Sequence, residues 1–243
     1  NSVPGRSNRF LARRAVKVFA GFPGALSFFP PGRAEVTGNP VRAEIVAAAR
    51  ERRGAFPPET PFTVLALGGS QGARAINSRV LGMARRAKGE GKEVRFLLQT
   101  GRGEYDAVAD AVRTEGLSVE AFPFADRIGE LFPRCHVILM RAGALSIAEA
   151  ALFGRPCVLV PYPYAADDHQ RRNAEAFCSA GAGVWMPEEE ATEAAIWSAL
   201  RTLGGDRGAR ERAGAAALAF ARPEAAAEAV RRALRLSGKG CDV

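Results

Sequence analysis

Histidine is almost missing from this chain. Only His136 and His169 occur in 243 residues, so no pair of imidazoles is spaced to hold a metal. Cysteine is nearly as sparse: Cys135, Cys157, Cys178 and Cys241 form no CxxC pair and lie in or near apolar segments. That excludes a zinc ribbon or a disulfide frame and favours the reduced, mostly buried thiols of a cytosolic protein. Lysine numbers four against thirty arginines, and although the formal charge is +8 the basic residues are scattered through helical segments rather than massed. Nucleic acid is therefore not an expected partner. Long apolar runs are lacking as well. None approaches the roughly 18 to 20 residues of a spanning helix, and the longest uncharged early stretch is broken by Gly24, Pro30, Pro31 and Gly32. Any membrane contact is expected to be peripheral. The chain opens on Asn1 rather than Met and enters structure at once, without a charged-then-apolar leader, which reads as a fragment whose upstream part is missing.

What is present is ordinary globular material, 47% hydrophobic and 25% charged, enough for one large domain or one domain with part of another. Short apolar runs at 62–68, 94–99, 118–124, 136–140, 156–161 and 183–186 alternate with helical patterns. Such alternation predicts an α/β fold with a doubly wound, Rossmann-like parallel sheet covered on both faces. Ligands of such sheets bind where strands feed helices along one edge. Beyond about residue 187 the pattern is Ala-rich and helical to Leu236, interrupted at "GGDRG". Asn39 and Pro40 look like an N-cap followed by proline at the first helical position. A domain boundary is placed near Gly38, with residues 1–38 ending one domain and residues 39–243 forming another.

Three strand-to-helix loops carry the chemistry. In "LALGGSQGARAIN" the strand stops at Gly68 and Gly69, and a helix is expected near Ser70. Glycines and free backbone N–H groups at a helix start can seat a diphosphate, and a purely structural tight turn has the same sequence. The loop is not a Walker A motif, because the required lysine is absent. An NAD site is disfavoured too, since the next strand ends "QTGRG" without an acidic residue. In "HVILMRAGALSIAEAALFGRP", Ser146 and Glu149 form an S-x-x-E capping box, or else Glu149 faces the crevice and accepts hydrogen bonds from a ribose. In "VPYPYAADDHQRRNAEAF", Asp168, His169, Gln170 and Asn173 crowd two helical turns, with Gln170 and Asn173 on one face. They suit sugar hydroxyls, or a solvated helix start capped near Asp168. His136 opens a strand and reads as a core or edge residue.

Taken in order, "TGNPVR", "GGSQGA", "RAGALSIAEAALFGRPCVLVPYP" and "DHQRRNA" resemble the bacterial MurG family, UDP-N-acetylglucosamine:N-acetylmuramyl-(pentapeptide)-pyrophosphoryl-undecaprenol N-acetylglucosamine transferases. The likeness runs from Asn1 to about Ala182. It implies the donor half of a two-domain GT-B enzyme that transfers GlcNAc with inversion from UDP-GlcNAc to lipid I, giving lipid II. No cofactor or metal is implied. The resemblance gives Ser70, Gln71 and the amides of the glycine loop, Gly69 included, to the donor's diphosphate and sugar, with Arg42 supplying the charge a metal supplies in other transferases. It assigns the helix start at Leu145 and Ser146 to the nucleotide, Glu149 to the ribose, Phe124 to a cap over the donor and the Ala125 backbone to uracil. His169, which stands where some relatives carry Gln, and Gln170 would hold the GlcNAc hydroxyls, and Asn1 would touch the donor sugar. The acceptor loop, the general base and the patch that meets the inner face of the cytoplasmic membrane belong to the missing domain, so no residue of this chain is assigned as the catalytic base. Two other readings stand beside it: a separate nucleotide-sugar-binding subunit that needs a membrane partner, and a UDP-GlcNAc epimerase, which would require carboxylates around the sugar.

Overall fold

The computed structural model describes residues 1–52, 54–69 and 72–238. Its centre is a six-stranded, wholly parallel sheet in the order β5-β4-β3-β6-β7-β8. The strands are β3 (Phe62–Leu67), β4 (Val94–Gln99), β5 (Val119–Phe122), β6 (Val137–Met140), β7 (Cys157–Leu159) and β8 (Gly183–Trp185). Because successive side chains of a strand point to opposite faces, β3 sends Leu65 and Leu67 into one core and Val64 and Ala66 into the other. The apolar runs are continuous for that reason. Against the first face lie α2 (Ala43–Arg52), α5 (Ile128–Leu131), α6 (Ala144–Leu152), α7 (His169–Ser179) and α9 (Arg207–Phe220), and against the second lie α3 (Arg74–Gly89), α4 (Tyr105–Glu115) and α8 (Glu193–Leu200).

Several strands stop a residue or more short of the expected spans. Pro123 and Pro161 lack the N–H that would extend β5 and β7. The helical tail breaks at a π-helical turn, Arg201–Gly205, as "GGDRG" suggested, and again at the "RPE" before α10 (Ala225–Leu236). Asn39 does not cap α2, which begins at Ala43; Arg42 O accepts the N–H groups of Ile45 and Val46 instead, each at 3.1 Å. The Asn39 side chain is used elsewhere, reaching Ala144 O at 3.5 Å.

Before residue 39 the chain forms α1 (Arg6–Ala12) and a separate two-stranded parallel sheet, β1 (Val18–Ala20) with β2 (Ala34–Val36). Helix α10 runs beside this unit, with Arg232 paired to Glu35 at 2.6 Å. Among the described residues no helix is long and apolar enough to cross a membrane.

His136 and the described cysteines are structural. His136 is fully buried at the start of β6, where its Nδ1 accepts the Thr63 N–H at 2.9 Å, and burial pushes its pKa down. Burial lifts the thiols of Cys135 to about 11 and Cys178 to about 12, and Cys157 well above its ordinary value, so none is a ready nucleophile.

Candidate functional site

The strand order reverses at β3, whose successor β4 lies on one side and β6 on the other, and a crevice opens there above the carboxyl ends of the strands. It is a cleft of about 700 Å³, walled by Gly69, Gly72 and Arg74 from the first loop, Arg141 and Ser146 from the second, and Gln170 from the third. The three loops singled out in the sequence thus meet at one place.

The first loop is shaped by its glycines. Gly69 has φ 85° with open space where a Cβ would point, while Gly72, at φ 76°, packs so closely that a Cβ would lie 2.1 Å from Thr100 O. Gly72 N–H donates to Gly69 O at 3.0 Å. Helix α3 starts at Arg74, later than expected, because the close approach of Gly72 to Thr100 precedes the first helical turn. Ser70 and Gln71 lie outside the described residues. Arg74 is the first residue of α3, and its side chain reaches Glu104 at 3.8 Å.

The second loop excludes the capping box. The N-cap of α6 is Gly143, which has no side chain to cap with, and Ser146 is the third helical residue. Glu149 therefore does not close the helix start. It is half-buried, and no hydrogen bond to it is present among the described residues. Burial raises its pKa; the Arg42 charge pulls it back and Glu44 pushes it further up. Arg42 itself is exposed and pairs with Glu44 at 3.4 Å. Leu145 is 53% exposed at the helix start.

Two helix N-termini consequently face the crevice without side-chain caps and without an acidic residue in their first turns, α3 behind Ala73 and α6 behind Gly143. Among the other helices α8 and α9 are capped, Thr192 accepting from Ala195 N–H at 3.2 Å and Asp206 from Ala209 N–H at 2.6 Å, whereas α1, α4, α5, α7 and α10 also lack a side-chain cap, so what sets α3 and α6 apart is that both starts line the same cleft. Uncapped first-turn amides and the positive ends of two helix dipoles favour an anion between them.

In the third loop Asp168 is the N-cap of α7, and both Asp167 and Asp168 have left-handed backbones, φ 52° and 53°. His169 follows, half-buried, with Nδ1 donating to Ala166 O at 2.7 Å so that Nε2 is left as the acceptor. Gln170 spends its carbonyl on the loop, accepting from Ala142 N–H at 3.2 Å and Tyr162 N–H at 3.0 Å, which leaves its NH₂ as the donor on the cleft. Asn173 shares the face but not the role. It is fully buried, accepts from Ser2 N–H at 2.7 Å, and donates to Asn1 Oδ1 and Ala142 O, each at 3.1 Å. Asn1 is thereby tied to the second loop, while lining a different cleft beside α1.

Phe124 follows β5 and is 43% exposed; the Ala125 N–H next to it is taken by Gln99 Oε1 at 3.2 Å. Residues the sequence did not single out complete the site. Arg141, 12% exposed, pairs with Glu188, donates to Val160 O and Pro161 O at 3.2 Å each, and lies 5.5 Å from the Tyr162 ring centre. A polar residue closing an apolar strand, as Gln99 closes β4, or directly after one, as Arg141 follows β6, was the available signal. Nothing in "MPEEE" distinguishes Glu188 from its neighbours.

Residues 63–229 match the C-terminal domain of glycosyltransferase family 28. The chain belongs to that family. The UDP-N-acetylglucosamine–N-acetylmuramyl-(pentapeptide) pyrophosphoryl-undecaprenol N-acetylglucosamine transferase of Solibacter usitatus is 37% identical over 229 residues, covering 94% of this chain and 61% of that protein. The identically named protein of Nitratidesulfovibrio vulgaris is 40% identical over 233 residues, covering 95% of this chain and 62% of its own. This family 28 chain therefore spans about three-fifths of the length of these relatives. The crystal structure of Acinetobacter baumannii MurG superposes with a TM-score of 0.77 at 26% identity, over 97% of this chain and 65% of that one. A co-structure of S. aureus MnaA with UDP shares the fold alone, with a TM-score of 0.66 at 13% identity over 97% of this chain and 65% of that one. The architecture is that of a GT-B glycosyltransferase.

Proposed function

We propose that this chain is the donor-binding part of an inverting transferase that moves GlcNAc from UDP-GlcNAc to lipid I, forming lipid II in peptidoglycan synthesis. The observation that carries this is the pair of uncapped helix starts, behind Ala73 and Gly143, facing one cleft. They suit the diphosphate, and the names of the relatives supply the sugar and the acceptor. In this reading Gly69, Ser70, Gln71, Leu145 and Ser146 bind the diphosphate, and Glu149 binds the ribose. Phe124 and Ala125 take the base, His169 and Gln170 the sugar, and Asn1 its edge. Residues 1–38 end an acceptor-side domain that works at the cytoplasmic face of the membrane, and residues 39–243 are the donor domain.

Transfer leaves negative charge on the departing UDP. The amides of α3 and α6 are fixed before the reaction and, with the exposed Arg42, offset that charge as it grows, and such preorganised electrostatic stabilisation often contributes more to catalysis than any other effect. A general base must lie within hydrogen-bond reach of the attacking hydroxyl. Glu188 is a carboxylate lining the described cleft, and Arg141 holds it. We assign the base to the part of the relatives' length that this chain does not span. The same engagement of Glu188 speaks against an epimerase, which needs free carboxylates around the sugar.

Calorimetry tests the donor assignment: UDP and UDP-GlcNAc should bind in the presence of a metal chelator and more tightly than ADP. Equal affinity for ADP removes the assignment of Phe124 and Ala125 to uracil. Joining the chain to an upstream acceptor domain should produce GlcNAc transfer to lipid I, and donor binding without transfer in the joined protein would favour the binding-subunit reading.

A further inference from the structure

Strand β4 ends on a polar residue that the nucleotide reading leaves without a role. Gln99 is 6% exposed, beside the apolar Phe96, Leu97 and Leu98. Its Nε2 donates to Gly69 O at 2.9 Å and its Oε1 accepts from Ala125 N–H at 3.2 Å. These partners dictate the orientation of the carboxamide, since a carbonyl only accepts and an amide N–H only donates; a flipped side chain would lose both bonds. One side chain therefore spans the loop assigned to the diphosphate and the turn assigned to the base.

The next residue braces the same junction through its backbone. Thr100 N–H donates to Phe122 O at 3.0 Å at the end of β5, and Thr100 O accepts from Asn77 Nδ2 of α3 at 2.9 Å. Gly69, by contrast, is exposed, has a left-handed backbone and meets nothing on its open side. The Gln99 bond is thus a side-chain tie from that glycine to the neighbouring strand β4, beside its own chain link to β3 and its bond to Gly72, and Ala125 is tied by the same group.

We propose that Gln99 is a positioning residue for nucleoside diphosphates, fixing the separation between the phosphate loop and the base-reading turn. The proposal rests on the nucleotide reading above. A ligand that grips two loops at once gains when their spacing is set in advance, because the ordering cost is met before binding. A ligand that uses only one of them gains nothing from the tie. Gln99 accordingly acts on the ligands that span both loops.

The test compares Gln99→Met, which keeps the volume and removes both hydrogen bonds, with Gln99→Glu, which keeps an acceptor for Ala125 N–H but sets a carboxylate against Gly69 O. UDP affinity is measured by calorimetry, uridine affinity by NMR titration, and stability by thermal melting without ligand, all on the purified 243-residue chain. Gln99→Met should weaken UDP about tenfold while uridine stays within about twofold. Gln99→Glu should weaken UDP further, again sparing uridine. UDP and uridine falling in parallel, or an unchanged UDP affinity in Gln99→Met, overturns the positioning role alone. Absence of UDP binding by the unsubstituted chain overturns the nucleotide reading together with it.

Discussion

Replacing Glu149 by alanine should weaken nucleotide binding and strengthen the empty protein, two effects of opposite sign from one carboxylate. Glu149 lies half-buried on α6, its pKa is raised, chiefly by burial, and no described residue hydrogen-bonds to it. In the empty state that charge is desolvated and only partly offset by the Arg42 charge. A carboxyl with a raised folded pKa stabilises the fold, relative to its ionised form, below its unfolded value near 4.5, and that contribution is lost as pH rises through the folded value. Glu149→Ala should therefore raise the melting temperature at about pH 7.5 and leave it nearly unchanged at about pH 4. Alanine's helix propensity adds a few tenths of a kcal/mol, roughly, in the same direction. In the complex the balance reverses. A hydrogen bond to a charged group contributes about 1.5 to 3 kcal/mol, so losing the one to ribose should weaken UDP by about ten- to a hundredfold. Paired melting curves and calorimetry on the same preparations decide it. A lower melting temperature at neutral pH with unchanged UDP affinity would refute the reasoning, because the carboxylate would then be a structural element that the described contacts do not reveal.

The glycine loop makes a second contrast. Gly72→Ala puts a Cβ 2.1 Å from a backbone carbonyl at φ 76° and should cost more than about 2 kcal/mol in urea unfolding, whereas Gly69→Ala, at φ 85° with free space, should cost only about 1 to 2 kcal/mol of backbone strain. Equal costs would show that the approach to Thr100 is not a constraint. His136 governs part of the acid limb. Its pKa is depressed in the fold, so the stability it contributes is present above its unfolded value of 6.5 and is lost as pH falls below it. His136→Asn should flatten the fall in melting temperature between about pH 7 and pH 5.5, and an unaltered slope would show that His136 has no part in it.

Local pattern was enough for the architecture. The apolar runs at β3, β4 and β6 are bounded by glycine, proline or charge and are too short for helices, so they can be stable only as strands of a sheet covered on both sides, and the loops at their carboxyl ends become the place for a ligand. The meeting of the three loops followed from strand order, which chain connectivity constrains strongly. Individual side chains were another matter. Ser146 and Glu149 have capping-box spacing, and only the start of α6 at Ala144, behind Gly143, removed that role. Asn39 looked like a cap and instead reaches Ala144; Asn173 looked like a sugar ligand and instead is buried against Asn1, Ser2 and Ala142. Gln99 and Arg141 find their partners in Ala125 and Glu188. For Asn39, Asn173, Gln99 and Arg141 the deciding partner lies tens of residues or more away in sequence, and a hydrogen-bonding group that could be satisfied locally takes the distant partner because burial makes an unpaired donor or acceptor costly. Periodicity records which way a residue faces. What it then touches is settled only when the sheet brings the ends of separate strands together.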